Sequence, residues 1–421
     1  MFTQQKSEKG QAIAFIVVGF VIILGFVGLA IDGGRAYSDR RHAQNSSDAA
    51  SLAGGAAAAL SLENSHLYYT LFDCANDDGR IADAMQTARE AAANRATSNG
   101  FTISLTPANF NYVKVICVST CPVCGGFATK YLDITVNIST TTTTTFGSFL
   151  FKPGLPSQVS AMTRVYPRMP LAFGHAVVAL NKSNCSGQTN GVVIHGTADT
   201  LISGGGIFTN GCLRSVGNSE ATVNGGSIAY NYAGSGLNGF HPAPLPVTFE
   251  IPADSYKVPA PNCDGRWFSD FPPSGYTDAN GFALPGLYCY HNAPSFKQEV
   301  KGKAVTIYIE SGGFKFNGNT QIYLTAPPTS PDPSPAIPGI LFYLPASNTS
   351  DITINGTSDS FLQGVILAPG ASISLLGTAD TNAYKTQIIA YNVELGGTAQ
   401  TLVTYEASKM YNKPTSLNLQ K

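Results

Sequence analysis

Two groups of residues have the types and spacing that chemistry needs. The first is Cys117, Cys121 and Cys124, in the order Cys-Val-Ser-Thr-Cys-Pro-Val-Cys, with Cys74 upstream. Four thiolates can hold a zinc ion, and Cys-x-x-Cys is a half-site for one. A zinc centre normally joins two such half-sites, and Cys74 stands alone. All eight cysteines (the others are Cys185, Cys212, Cys263 and Cys289) lie in loop-like surroundings and are even in number. That usage fits an oxidising compartment. Two disulfides among Cys74, Cys117, Cys121 and Cys124 are expected instead of a metal, in a pairing that the spacing does not fix.

The second group is Asp199, Asp359 and Asp380, which follow Gly-Thr-Ala or Gly-Thr-Ser at matching positions. Aligned carboxylates within about 10 Å of one another would suit hydrolysis or lysis of polysaccharide. Aspartate after such a pair also bonds its own backbone in a turn, and this is the role expected here. Histidines 42, 66, 175, 195, 241 and 291 lack metal-ligand spacing, and the sequence holds no nucleophile elbow, phosphate loop or dinucleotide fingerprint. No catalytic residue, cofactor or metal is expected.

The aspartates belong to repeats. "VVIHGTADT", "ITINGTSDS", "ISLLGTADT" and "VELGGTAQT" share alternating apolar residues followed by Gly196, Gly356, Gly377 and Gly397. The last three glycines are 21 and 20 residues apart, and "GILFYL", "GVILAP" and "QIIAYN" supply a further strand upstream of each. Short strands at this period predict a right-handed parallel β-helix-like solenoid, with a β-sandwich as the alternative. Its first part is expected over 168–235 and its C-terminal repeats over 301–410. A Pro- and aromatic-rich insertion, 236–300, separates them, with a Cys263 to Cys289 bridge. Cys185 and Cys212 would fasten the first turns, and 411–421 is expected as a tail.

Upstream of the repeats, residues 12–31 carry no charge. At 1.5 Å per residue they extend about 30 Å, the depth of a bilayer core. A cleaved signal peptide is the rival, since Gly28, Leu29 and Ala30 are small enough for a cleavage site, but the run exceeds the usual apolar region. Residues 1–31 are therefore expected as a tail and a retained transmembrane helix. Lysines 6 and 9 on one side balance arginines 35, 40 and 41 on the other, so the positive-inside rule is silent. The cysteines decide: the N-terminus is expected in the cytoplasm and the bulk of the chain outside it, in the periplasm or at the cell surface.

Ala36, Ala43, Ala50 and Ala57 then recur every seven residues, giving one narrow helical face. It would either pack on its own domain or dock on other subunits. A second helix is expected over 79–98 with Ile81, Met85, Ala88 and Ala92 on one face, and strands at "FTISL", "VKVICV", "YLDITVNIST" and "SQVSAMTRVYP". Residues 32–167 thus read as a small α+β domain.

The pattern Gly10-Gln11, an apolar span, Asp32-Gly33-Gly34-Arg35, then Arg41, Gln44 and Asp48-Ala49-Ala50-Ser51-Leu52 resembles the N-terminal region of TadG-like proteins of the Tad (Flp) pilus assembly system. Ser46 and Ser47 depart from it. The resemblance implies an envelope-anchored component of a pilus or secretion apparatus, with the membrane and other pilus-assembly subunits as partners; surface glycans are a further partner that exposed Tyr, Asn and Thr of the solenoid would suit. Prepilins of this system resemble one another in a glutamate five residues after the cleavage glycine; here that residue is Phe15, so a permanent anchor is expected. Asp32 and Arg35 at the membrane exit could pair, and a solvated interfacial pair of this kind need carry no function.

Charged residues make up 12% of the 421, with a net charge of -1, so no electrostatic binding of nucleic acid is expected. Two functions remain: a structural or adhesive pilus-assembly component that presents a β-helix, or an envelope-tethered β-helix enzyme acting on polysaccharide.

Overall fold

The structure, a computed structural model, describes residues 11–420 except 68, 108–109, 120–129, 150–151, 153, 188, 198, 329–332, 357–359, 378–383 and 398–399. The chain is mainly β, with one long N-terminal helix.

Helix α1 (Gln11–Asn64) contains no proline and runs unbroken for 54 residues, about 80 Å. Its first half is apolar and exposed except at Gly28, and it is long and apolar enough to cross a membrane. The second half changes function at Asp32. From there Ala43, Ala50, Ala58 and Leu62 are fully buried. The helix stops where His66 takes a left-handed φ of 51°.

Helix α2 (Arg80–Ser98) begins where the Asp77 carboxylate accepts the free N–H groups of Ile81 and Ala82, at 3.0 and 2.7 Å. It buries Ile81, Ala84, Ala88, Ala92 and Ala96. Met85, expected on this face, lies at its margin. Both helices cover one side of an antiparallel sheet formed by β1 (Tyr112–Val118), β2 (Tyr131–Thr142), β3 (Leu155–Tyr166) and a C-terminal strand, Ser416–Gln420. Small residues allow the close approach. A Cβ on Gly54 would lie 2.9 Å from the Ala88 carbonyl, and one on Gly55 2.5 Å from the Thr163 methyl. The alanine face therefore packs on its own sheet and second helix. The "FTISL" stretch makes only a single bridge, Ser104 to Tyr112, because the chain turns back immediately.

Most of the rest of the chain forms an 18-stranded sheet in which every strand pairing among the described residues is parallel, beside two two-stranded sheets. That excludes for these strands the antiparallel pairing a sandwich would require. Layers stack in register: Tyr288, Ile307, Phe342, Ile366, Ile388, Val177, Ile207 and Ile228 form a single buried column. At one corner Gly356, Gly377, Gly397, Gly196 and Gly217 align in a second column. Gly196 needs to be glycine, since it has φ 115° and its Cβ would meet the Gly397 carbonyl at 2.2 Å. At another corner an amide ladder links layers: Asn181 donates to Asn392, and Asn392 donates to Ser372.

The order of layers in space differs from the order in sequence. The chain enters the stack in the middle, at Val177, and runs to one end at Leu245–Pro246. Residues 247–285 then return along the outside. Val247 bonds the Tyr230 carbonyl, Ile251 bonds Asn210, Tyr343 bonds the Val258 carbonyl, and Cys263 is bridged to Cys289. The stack resumes at the opposite end with Gly286–Asn292 and descends until Tyr384–Gly397 lies directly on Val177–Ala179 and Val192–Gly196. The stretch expected as an insertion over 236–300 thus holds the last strands of one end of the sheet, the external strap and the first layer of the other end. Early and late repeats are neighbours because of it.

The segment expected as a tail is structured. Asn412–Lys413 pairs with Met169–Pro170, and Ser416–Gln420 completes the sheet beside β3. Both passages between helix–sheet module and stack therefore run side by side.

Candidate functional site at the membrane exit

Asp32 follows directly on the apolar span, yet only 4% of it is exposed. Its carboxylate accepts three backbone N–H groups from the loop after β2: Thr145 at 2.8 Å, Phe146 at 2.9 Å and Gly147 at 2.6 Å. The N–H of Thr145, then that of Gly147, hold its pKa below the usual carboxylate range. Arg35, one turn on, donates to the Thr145 hydroxyl at 2.8 Å. Asp39 accepts the Thr142 hydroxyl at 2.7 Å. One turn before Asp32, Gly28 lets Phe146 lie against the helix, where a Cβ would stand 2.7 Å from the ring's own Cβ.

These contacts stand in place of an Asp32–Arg35 pair. Both side chains reach the same loop instead, because three N–H groups turned toward one carboxylate satisfy it better than a solvated guanidinium does. The result is a clasp that fixes the edge of the module to the helix where it leaves the apolar span.

The other motif residues divide by face. Gln44 donates to Asp48 at 2.8 Å, an i, i+4 contact along α1. Ala50 is fully buried, Ala49 half-buried, Arg41 and Leu52 exposed, and Gly34 faces open space. Gly10 and the side chain of Gln11 lie outside the described residues. Ser46 and Ser47, which depart from the pattern, are buried, and Ser47 donates to the Val136 carbonyl at 2.7 Å. At the far end of α1, Glu63 accepts from Arg168 at 3.0 Å and from the Thr415 hydroxyl at 3.2 Å. One carboxylate thus touches both passages to the stack.

The cysteines are paired as Cys74–Cys117, Cys185–Cys212 and Cys263–Cys289. Cys121 and Cys124 lie outside the described residues. Asp199 is exposed just before the strand Thr200–Ser203, and its carbonyl accepts the Thr401 N–H from the next layer. Asp359 and Asp380 lie outside the described residues. Near the strap's end Trp267 stacks on His291 with centroids 3.7 Å apart, and His291 in turn meets Glu310 at 2.6 Å. Sequence reasoning missed the partner of Asp32. The "TTTTTFG" run carried no signal of it, since the three donors are backbone N–H groups that every residue but proline has.

A span that continues as the docking helix of a small antiparallel sheet, clasped at the membrane exit, defines a membrane-anchored α+β module. Residues 10–59 match the family described as putative Flp pilus-assembly TadE/G-like. The match covers the span, Asp32 and Arg35 and the buried alanines as far as Ala58, but not the loop that Asp32 holds, and it supports involvement in Tad pilus assembly at a membrane. No curated protein and no solved structure matches the chain.

Proposed function

We propose that this protein is a membrane-anchored structural component of a Tad (Flp)-type pilus assembly apparatus, with adhesive capacity outside the cytoplasm. The observation that carries the reading is the match over residues 10–59, coincident with a helix that is bare over its apolar half and packed over the rest. Three disulfides downstream of the span support an N-terminus in the cytoplasm and the bulk of the chain on the other side. The parallel layers are read as a right-handed β-helix module, and the in-register glycine and isoleucine columns support that reading. The module is presented for assembly or for attachment to surfaces, including glycans, with the Trp267 end as one contact surface. The reading assigns no catalytic residue.

Crosslinking in native membranes, affinity capture of the full-length protein and mass spectrometry of partners and N-terminus test this. Pilus-assembly proteins recovered with residues 1–31 still attached are the expected result. An N-terminus beginning after the span, with none of those partners, would overturn it.

A further inference from the structure

One face of the stack, away from Trp267, carries an aromatic column with unpaired cations beside it. Register places Lys301 opposite Tyr323 and Tyr323 opposite Phe361 in successive layers. Tyr323 and Phe361 stack with centroids 5.2 Å apart, and Phe282 meets Tyr323 edge-on at 5.6 Å. Tyr323 is 37% exposed although it is a large ring on a regular strand. Around it lies a groove of about 350 Å³ lined by Lys303, Thr325, Gln363, Ser408 and Lys409.

The charges are unbalanced. Lys301 pairs with Glu299, and Lys385 with Glu406 at 3.1 Å. Lys303 and Lys409 have no carboxylate partner among the described residues; Lys303 leans over Phe282 at 4.5 Å and Tyr323 at 5.8 Å. Among the described residues, four lysines stand against two glutamates on this face, in a chain whose net charge is -1. An aromatic face stacks on the C–H face of a sugar ring, ammonium groups pair with carboxylates, and Thr and Gln supply neutral hydrogen bonds. Layers repeat at about 4.8 Å, so the groups form a row that suits a polymer running along the stack.

We infer that this groove binds an acidic, uronate-containing polysaccharide, with Tyr323 as the stacking platform and Lys303 and Lys409 as carboxylate partners. This deepens the attachment reading by naming a ligand class, but the binding does not depend on any pilus role and is tested without it.

The full-length protein in phosphatidylcholine nanodiscs is titrated with polygalacturonate, dextran and polyglutamate. Saturable binding to polygalacturonate alone is expected, weakening as salt rises. Tyr323→Ala and the Lys303→Gln/Lys409→Gln pair should each weaken it about tenfold, roughly the 1.4 kcal/mol of one such contact. Tyr323→Phe should retain it, and Tyr391→Ala, elsewhere on the stack, should leave it unchanged. Because Lys409 is exposed, Lys409→Gln alone keeps the test valid if Tyr323→Ala lowers the melting temperature. Equal binding of polyglutamate would overturn the inference by reducing it to charge. Equal binding of dextran, indifference to Tyr323→Ala and Lys409→Gln, or no saturable binding of polygalacturonate would overturn it as well.

Discussion

The contact face of α1 is dominated by small residues, Ala43, Ala50, Ala58, Ser47, Ser51 and two glycines, whereas the interior of the stack is built from Tyr288, Ile307, Phe342, Ile366 and Ile388. In the first region backbones approach one another and side chains contribute little volume. In the second the backbones are held about 4.8 Å apart by the ladder of hydrogen bonds, and side chains must fill what lies inside. The comparison teaches that the two regions fail in opposite ways. The helix face is intolerant of enlargement, and the interior of the stack, away from its glycine corners, is intolerant of truncation.

Five substitutions would sharpen or break that contrast. The largest effect is expected for Ile388→Ala, which removes a fully buried side chain from the middle of the column. A loss of about 3–4 kcal/mol in urea unfolding is expected, and a loss below about 1 kcal/mol would mean that the column is not close-packed. Next comes Gly55→Val, whose Cβ would lie 2.5 Å from the Thr163 methyl. Overpacking of this kind should cost about 2–3 kcal/mol, while an enlargement that fits the column, Val177→Ile, should cost less than about 1.5 kcal/mol. If both enlargements cost the same, the contrast is lost.

Asp32→Asn should act locally. Amide exchange at Thr145, Phe146 and Gly147 should speed up, while that of Ile388 and Ile389 stays slow. Because the folded pKa of Asp32 is depressed, its contribution is present above the unfolded value near pH 4 and is lost as pH falls through the lower, folded value. The acid loosening of residues 145–147 should therefore vanish in the Asn variant. The smallest effect belongs to His291→Ala, since a stacked, exposed pair contributes within about 1 kcal/mol. Trp267 is the protein's sole tryptophan, so its fluorescence reports the change directly even where stability hardly moves.

Much of both regions was legible in local pattern. The uncharged run over 12–31, the alanine spacing and the Gly196, Gly356, Gly377 and Gly397 turns express helix and strand periods that neighbours in sequence determine. The order of the layers was not legible. Nothing in the local sequence of Tyr384–Gly397 says that it will lie on Val192–Gly196, about two hundred residues earlier, because the repeats are similar enough to stack in several orders. The strap decides, through contacts such as Tyr343 to the Val258 carbonyl that have no sequence period. The C-terminal strand was overlooked for another reason. Leu417 and Leu419 alternate as a strand requires, but five residues at a chain end are too few for period alone to separate from a coil.

The clasp was half legible. The residue types at 32 and 35 mark a polar site at the end of an apolar helix, and they do not reveal what it holds. Acceptors for backbone N–H groups leave no trace in the sequence that donates them, since every residue but proline carries the same donor.

The side-by-side passages at Met169–Pro170 and Asn412–Lys413 have a consequence for durability. A projecting domain on a single connector is shed by one proteolytic cut. Here a cut in the first passage leaves the stack tethered through the C-terminal strand, paired with β3 over five residues. A cut in the second leaves it attached through the first. Shedding takes two nicks, or one nick and the peeling of a sheet strand, so the outer module is secured by a redundant mooring.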